Sequence, residues 1–330
     1  MDTLFVESDA NECSQDLYKF VLEESFGMRL ICDFASLSEY REAMIDNPMW
    51  ELLIDKFDKI EYNVNLEGDV LTDRFYESLW EQNLFLLTLN EDVCNELSCA
   101  RGYIYVSSAN IEKAWNPIKL IRENSTLKVT QDKNFPTELK FDSWEKLKER
   151  ILPLTSLIIF DRYILCDNSN QKLKDNLFVV LKMFCINKLT KPLNLTIISE
   201  FDSDYQLKNA YQKIQEFLAQ NGIENVSLSL IDHDKGKYPV DFEGLHSRQI
   251  LTNNIRIKCE DSFNLFKANG KVNNDADIHF KFNLSNKNHP FFEKEINHLK
   301  RYVGRLNNVD ESSTLARKTY YYRDKVNYLF

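Results

Sequence analysis

Short runs of apolar residues, some continuous and some alternating with polar ones, predict strands in the first hundred residues of the chain. These predicted strands are 28–34, 60–64, 84–89 and 102–106. Between them, apolar residues recur at helical spacing and predict helices at 14–26, 38–56, 73–81 and 90–97, the last with Asn90 as its N-cap. Strands that alternate with helices imply a largely parallel sheet covered on both faces, so the pattern favours an α/β fold.

The second half of the chain predicts a clearer order of elements. Strands are predicted at 157–165, 193–198, 226–231, 249–258 and 278–283, and helices at 172–185, 205–220 and 290–306. The resulting order, β-α-β-α-β-β-β-α, is typical of a compact α/β domain with a mixed sheet. A polar and irregular stretch at 116–145 precedes it. We therefore place a domain boundary near residue 140, which gives two domains, 1–140 and 141–330.

The first 100 residues and the rest of the chain differ in charge. Residues 1–100 hold 6 basic and 23 acidic residues, whereas the remaining 230 hold 35 basic and 28 acidic ones. An acidic N-terminal half repels nucleic acid and favours a protein partner, while the mildly basic C-terminal half suits phosphate-bearing ligands or nucleic acid. The alternative is that the acidic surface only maintains solubility. The basic and aromatic tail at 315–325 suits either single-stranded nucleic acid or docking against the acidic region of the same chain.

Several classes of protein are not indicated by the sequence. The N-terminus has no signal-peptide pattern, and the longest apolar runs are too short to span a bilayer. The 7 cysteines are dispersed without zinc-ligand spacing. No glycine-rich nucleotide-binding motif occurs. We therefore predict a cytoplasmic protein with reduced thiols, no membrane span, no metal and no cofactor.

The segment 245–254, Leu-His-Ser-Arg-Gln-Ile-Leu-Thr-Asn-Asn, carries the clearest chemical signal in the chain. On a strand, residues two apart lie on the same face, so His246 and Arg248 would share one face. An imidazole and a guanidinium can then flank one phosphate, which arginine binds through two donors at once. The segment predicts a phosphate-handling site, with Arg248 and Thr252 among its binding residues.

This segment, together with Ser262-Phe263-Asn264-Leu265-Phe266, resembles phospholipase D-like domains. The similarity extends over about residues 150–285 and is greatest to divergent bacterial members and to the C-terminal phospholipase D-like domain of MIT proteins. It implies a phospholipase D-like fold for the C-terminal domain. It also implies the motif His-x-Lys-x4-Asp, in which the histidine attacks phosphorus or protonates the leaving group. In that motif the lysine binds phosphate oxygens and the aspartate orients the imidazole.

Carried onto this chain, the motif assigns catalytic positions to His246, Arg248 and Asn253. Two of them depart from it, because arginine fills a lysine-shaped position poorly and asparagine cannot stabilise an imidazolium. The corresponding Asp-to-Asn change in a serine protease costs about 10⁴ in rate. The family also uses two facing histidine motifs, whereas the first histidine here is His233. Catalysis would therefore need a homodimer or a composite site.

Residues 160–168 repeat part of the motif. The pattern Arg-x-Ile-Leu-x-(Asp/Asn)-Asn begins at Arg162 and again at Arg248. Phe160 then occupies the histidine position, and Asp167 keeps the aspartate position. The repeat is either a decayed second motif that contributes Arg162 and Asp167 to ligand binding, or a chance similarity between two apolar strands.

These features lead to three hypotheses of function. The first is a protein that binds a phosphate-bearing ligand or a partner through a degenerate phospholipase D-like site with weak or no catalysis. The second is a metal-independent phosphodiesterase or nuclease that uses His246 in a homodimeric site. The third is an interaction subunit of a bacterial defence or mobile-element complex, by analogy with the settings of divergent family members.

Overall fold

Two β-sheets form the framework of the described part of the chain in the computed structural model. The structure describes residues 3–7, 28–46, 57–64, 66, 83–86, 90–107, 111–165, 170–185, 189–190, 192–223, 225–232, 248–283, 289–307 and 319–321. Within these residues, the first sheet has five strands and the second has eight. The α/β class predicted from the sequence is confirmed.

The first sheet is parallel throughout. Its strands are β1 (Thr3–Val6), β2 (Met28–Cys32), β3 (Phe57–Glu61), β4 (Asn83–Leu86) and β5 (Ile104–Val106), with helices α1 (Leu37–Asp46) and α2 (Glu91–Arg101). The strand order is β3-β2-β1-β4-β5, and each neighbouring pair is parallel. This order is doubly wound, because the direction of winding reverses between β1 and β4. β1 was not predicted, since it is a run of only four residues within a polar, acidic stretch.

The second sheet mixes parallel and antiparallel pairs. Its strands are β6 (Thr126–Val129), β7 (Ser156–Phe160), β8 (Leu193–Ser199), β9 (Val226–Asp232), β10 (Arg248–Thr252), β11 (Ile255–Cys259), β12 (Ala276–Phe282) and β13 (Thr319–Tyr321). The order is β13-β9-β8-β7-β10-β11-β12-β6. β7, β8 and β9 are parallel to one another, and the remaining pairs are antiparallel. The mixed sheet predicted for the second half is therefore confirmed.

Helices accompany the second sheet, and the last three of them match the helices predicted at 172–185, 205–220 and 290–306. They are α3 (Ile111–Glu123), α4 (Glu145–Lys148), α5 (Asn170–Lys172, π-helical Leu173–Leu177 and Phe178–Phe184), α6 (Asp204–Gln220) and α7 (His289–Asn307). α6 begins at the N-cap Ser203 and is followed by Gly222 in the left-handed conformation, which is typical of an Asn-Gly helix end. Among the described helices, none is both long and apolar enough to span a bilayer.

The hydrophobic core has three parts, of which one lies around Phe5, Ile31 and Tyr105 of the first sheet. The larger cluster contains Leu4 and Leu30 of the first sheet together with Ile257 and Phe280 of the second. A smaller cluster lies on the opposite face of the second sheet, where α7 packs on β7–β10; its members are Ile158, Phe160, Ile198, Ile231, Leu251, Phe292, Ile296 and Leu299. Because the larger cluster includes residues of both sheets, the two predicted domains share one core.

The stretch 116–145 is more regular than the sequence predicts. α3 continues through Pro117, and β6 joins the second sheet as its edge strand beside β12. The change from one sheet to the other therefore lies between β5 and β6, earlier than residue 140. Asn116-Pro117 is typical of a turn, but Ile118 and Ile121 of α3 are buried in the core. Tertiary packing thus outweighs the local signal.

Three further elements differ from their predictions. The stretch 249–258 is a tight hairpin of two strands, β10 and β11, rather than one extended segment. The strand predicted at 157–165 ends at Phe160 and is followed by a turn at 162–165. In the tail, Thr319–Tyr321 pairs with β9 of the second sheet. These three residues therefore bind their own chain through the backbone; the rest of the tail lies outside the described residues.

Thiol reactivity is expected to follow burial. Burial raises the pKa of the Cys32, Cys185 and Cys259 thiols to about 12, whereas Cys99 is exposed. Because the thiolate is the reactive form, the three buried thiols should react with a maleimide about 100-fold or more slowly than Cys99. Peptide mass mapping after timed labelling measures each rate. Labelling of any of the three as fast as Cys99 in the folded protein would contradict this burial, and labelling in denaturant is the control.

Candidate functional site

One edge of the second sheet brings together two of the residues that the sequence singles out. The parallel strands β7 and β8 end there, and the antiparallel β10 begins there. Arg162 follows β7, Glu200 follows β8, and Arg248 is the first residue of β10. In α/β sheets ligands bind preferentially outside the carboxyl ends of the strands, so this edge is a candidate binding site.

The carboxylate of Asp161 holds the loops at this edge together. It is completely buried, and its oxygens accept hydrogen bonds from Tyr163 N at 2.9 Å, Ser262 Oγ at 2.8 Å and Phe263 N at 2.6 Å. Burial raises the pKa of Asp161, while these hydrogen bonds and the positive charge of Arg248 act in the opposite direction. Asp161 therefore joins the turn after β7 to the loop after β11.

Two guanidinium groups face the same aromatic ring. The Cζ atom of Arg162 lies 5.2 Å from the centroid of the Tyr163 ring, and that of Arg248 lies 5.4 Å from it. Both distances are within cation–π range. Tyr163 is 40% exposed, so the cluster reaches the protein surface. We refer to Arg162, Tyr163 and Arg248 as the arginine–tyrosine cluster.

The two arginines are held in different ways. Arg162 forms an ion pair with Glu200, in which its Nε lies 3.1 Å from Oε2. Arg248 donates from Nη1 to the carbonyl oxygen of Glu260 at 2.9 Å. The Nε of Arg248 is buried and has no hydrogen-bond partner among the described residues. A guanidinium has five N–H donors, so Arg248 keeps donors for an incoming oxyanion.

Two of the predicted site residues, His246 and Asp167, lie outside the described residues. The expected pairing of His246 with Arg248 on one strand face therefore stays a prediction. The repeat of the motif does bring Arg162 and Arg248 together, because β7 and β10 are neighbouring antiparallel strands. Their proximity comes from the turn after β7, which carries Arg162 past the end of the strand.

Thr252 and Asn253 lie away from this cluster. Arg248 and Thr252 are the first and last residues of β10, and four residues of extended strand span about 13 Å. Thr252 Oγ1 accepts hydrogen bonds from the backbone N–H groups of Asn254 at 3.1 Å and Ile255 at 2.9 Å. These contacts shape the β10–β11 hairpin, so the ligand-binding role predicted for Thr252 finds no support in the geometry.

Asn253 joins three segments of the chain in the protein interior. It is fully buried; its Oδ1 accepts from Thr155 N at 3.1 Å, and its Nδ2 donates to the Gly102 carbonyl at 3.3 Å. These contacts give Asn253 a structural role, and its pairing with a catalytic imidazole stays a prediction because His246 lies outside the described residues. The sequence motif counts residues along the chain, but an extended strand carries its two ends apart.

Asp161 and Tyr163 are site residues that the sequence reasoning did not single out. The available signal was position, since Asp161-Arg162-Tyr163 directly follows a buried strand. Polar residues at the carboxyl end of such a strand are favourably placed for binding.

The first sheet has its own crevice between the carboxyl ends of β1 and β4, where doubly wound sheets bind ligands. Glu7 follows β1, Ser107 follows β5, and both are buried. Burial raises the pKa of Cys94 on α2; the hydrogen bond with Ser107 lowers it, and the charge of Glu7 raises it. Within the described residues no group of three histidine, cysteine or carboxylate side chains is arranged to hold a metal.

No protein-family model matches the chain, and no curated protein matches it by sequence. The similarity to phospholipase D-like domains therefore depends on the residues of the 245–266 region and on the order of elements. The contacts of Asp161, Arg162, Tyr163 and Arg248 therefore indicate which ligand the edge at the ends of β7 and β8 can bind.

Proposed function

We propose that the chain binds a phosphate-bearing ligand at the arginine–tyrosine cluster and catalyses little or no hydrolysis there. The observation that carries this proposal is the convergence of the Arg162 and Arg248 guanidiniums on the Tyr163 ring. Guanidinium groups bind phosphate oxygens through charge-assisted hydrogen bonds, and a partly exposed aromatic ring adds a surface for an organic group attached to the phosphate.

Three features support phosphate as the ligand. Arg248 retains a buried N–H group without a partner, which an oxyanion would satisfy. The Asp161 carboxylate is saturated by its own hydrogen bonds and is buried, so it does not line the surface. The ion pair with Glu200 holds Arg162 in position rather than leaving its long side chain to be ordered on binding.

Weak or absent catalysis follows from the residues at the motif positions. An orienting carboxylate is absent at position 253, and Asn253 is engaged with Thr155 and Gly102. A phosphodiesterase that uses His246 is the competing reading. It requires hydrolysis that depends on His246 and proceeds without a metal ion.

The Arg248→Ala variant is expected to bind inorganic phosphate and bis-p-nitrophenyl phosphate about 10- to 100-fold more weakly than the unmodified protein. This range corresponds to the loss of about 1.5–3 kcal/mol for hydrogen bonds to a charged group. Isothermal titration calorimetry measures both affinities. Arg248→Lys keeps the charge and loses the planar guanidinium. Its affinity for each ligand should lie between those of Arg248→Ala and the unmodified protein.

Arg301→Ala is the matched control, because Arg301 is an exposed arginine on α7 and its removal changes the net charge equally. Equal affinities for Arg248→Ala and the unmodified protein would reject the cluster as the phosphate site. Hydrolysis of bis-p-nitrophenyl phosphate by the unmodified protein, lost on His246→Ala, would instead establish the phosphodiesterase.

A further inference from the structure

The outer half of the second sheet has one apolar and one polar face. Along β11, β12 and β6 the residues alternate, so that Ile257, Phe280 and Leu127 enter the core. The side chains between them form the opposite face; they are Arg256, Lys258, Asp277, His279, Lys281, Thr126 and Lys128. We call this set the basic strip.

The helix α7 borders the basic strip without covering it. Its described apolar residues pack on β7–β10, and its Glu295 reaches β11. Glu295 lies 2.7 Å from Arg256 Nη1 and 3.1 Å from Lys258 Nζ. The Lys258 side chain is still 27% exposed. A helix about 10 Å wide beside a half-exposed sheet face makes a groove.

The four cations of the strip, Arg256, Lys258, Lys281 and Lys128, outnumber its one carboxylate, Asp277 opposite Lys128, and Glu295 of α7. Arg256 and Lys281 are directly opposite each other on β11 and β12, where like charges repel. Glu295 contacts Arg256 and Lys258, so one carboxylate serves two cations. Burial lowers the pKa of Lys281, and the charges of Arg256 and Lys258 lower it further, while Glu295 acts oppositely. An anion in the groove would relieve this repulsion.

A buried amide at the inner end of the strip points to a ligand as well. Gln249 of β10 is fully buried, and neither its Oε1 nor its Nε2 has a hydrogen-bond partner among the described residues. Gln249 is opposite Lys258 of β11. Lys258 is in turn opposite His279 of β12, and His279 is opposite Thr126 of β6, so one polar row crosses four strands. Buried polar atoms without partners carry a desolvation cost, which a hydrogen-bonding ligand would reduce.

We propose that the basic strip binds the phosphodiester backbone of a single-stranded nucleic acid. The row from Gln249 to Thr126 crosses three strand spacings, about 14 Å in all, which is long enough to meet several successive phosphates. At the outer end, Lys128 Nζ lies 5.7 Å from the Phe135 ring, where a base can stack beside a cation. The groove beside α7 suits one strand, and the excess of cations matches its charge.

This site is separate from the arginine–tyrosine cluster. Residues alternate along β10, so Arg248 and Ile250 lie on the core-side face, whereas Gln249 and Leu251 lie on the α7 side. Nucleic-acid binding at the strip therefore does not depend on phosphate binding at Arg248.

The Lys258→Ala/Lys281→Ala double variant is expected to bind a fluorescent twenty-nucleotide oligothymidylate about 10-fold or more weakly. The slope of log affinity against log salt should also fall by about 1.4, because each lost phosphate contact removes about 0.7 for a single strand. Fluorescence anisotropy of the full chain measures both. The control is Lys267→Ala/Lys271→Ala, which removes two exposed lysines of a turn and should leave affinity and slope near those of the unmodified protein.

A second variant separates binding from folding. Gln249→Leu removes two buried atoms that lack partners, so it should raise the urea midpoint while it weakens oligothymidylate binding. Equal losses in the two lysine double variants would overturn the proposal, as would unchanged binding by Gln249→Leu. Tighter binding of a polyglutamate peptide than of the oligonucleotide would also overturn it, because an acidic polypeptide would then be the better ligand.

Discussion

Replacing Gly102 with alanine is expected to lower the free energy of unfolding by about 2 to 5 kcal/mol, through backbone strain and overpacking together. Gly102 ends α2 with a φ of 75°, in the left-handed region. An added Cβ would lie 2.4 Å from the Leu154 carbonyl oxygen and 2.8 Å from Thr155 Cγ2. The first of these atoms is backbone and the second belongs to a β-branched residue, so neither can move away easily. Urea denaturation of the two proteins measures the loss.

Gly222→Ala is the control for backbone strain alone. Gly222 has a φ of 68°, and an added Cβ there meets no atom within 4 Å. Its replacement should cost about 1 kcal/mol. The difference in the free energy of unfolding between Gly102→Ala and Gly222→Ala then measures the effect of the close contact between the end of α2 and the segment before β7. Equal losses would show that this contact is not formed as described.

Asn253→Asp is expected to lower the free energy of unfolding by about 3 kcal/mol at neutral pH and to produce no gain in hydrolysis. The change replaces the donor to the Gly102 carbonyl by a second oxygen and introduces a charge at a fully buried position. The same change restores the aspartate of the family motif. The resemblance alone would therefore predict higher activity, whereas the structural role predicts a less stable protein.

The pH dependence of this loss has a definite sign. A buried carboxylate has a folded-state pKa above its unfolded value of about 3.9, so the folded variant binds more protons than the unfolded one between these values. The loss of unfolding free energy should be largest above the pKa of the introduced carboxyl group in the folded variant, and it should shrink as the pH falls toward about 4. Urea midpoints across this range measure it. Asn269→Asp, at an exposed turn position, is the matched control. A stable Asn253→Asp protein that hydrolyses bis-p-nitrophenyl phosphate would contradict the structural role.

Elements with strong local signals were predictable from the sequence. β8 is buried over its whole length, and its apolar residues were sufficient to predict the strand, while α6 ends where Asn221-Gly222 gives a left-handed stop. The Asn90 N-cap of α2 is also confirmed, with its side chain accepting from Val93 N at 3.0 Å. In each case neighbouring residues alone decide the conformation, which is why the pattern is sufficient.

Elements that depend on distant partners were not predictable. β6 is short and polar on one side, and it is a strand because β12 pairs with it from 150 residues further along the chain. β1 likewise has few residues and is stabilised by β2 and β4 on either side. Such strands gain their hydrogen bonds from partners far away in sequence, so their own composition carries little signal.

By itself, the sequence determined the α/β class, the position of the longer helices and strands, and the choice of Arg162 and Arg248 as candidate phosphate ligands. Only the tertiary structure decided that these two arginines share the Tyr163 ring, while Asn253 lies at the other end of its strand. It also decided that the cations of β11, β12 and β6 form one strip. The physical reason is that helix caps and apolar periodicity act between neighbours, whereas sites are assembled by strand order and register between distant segments.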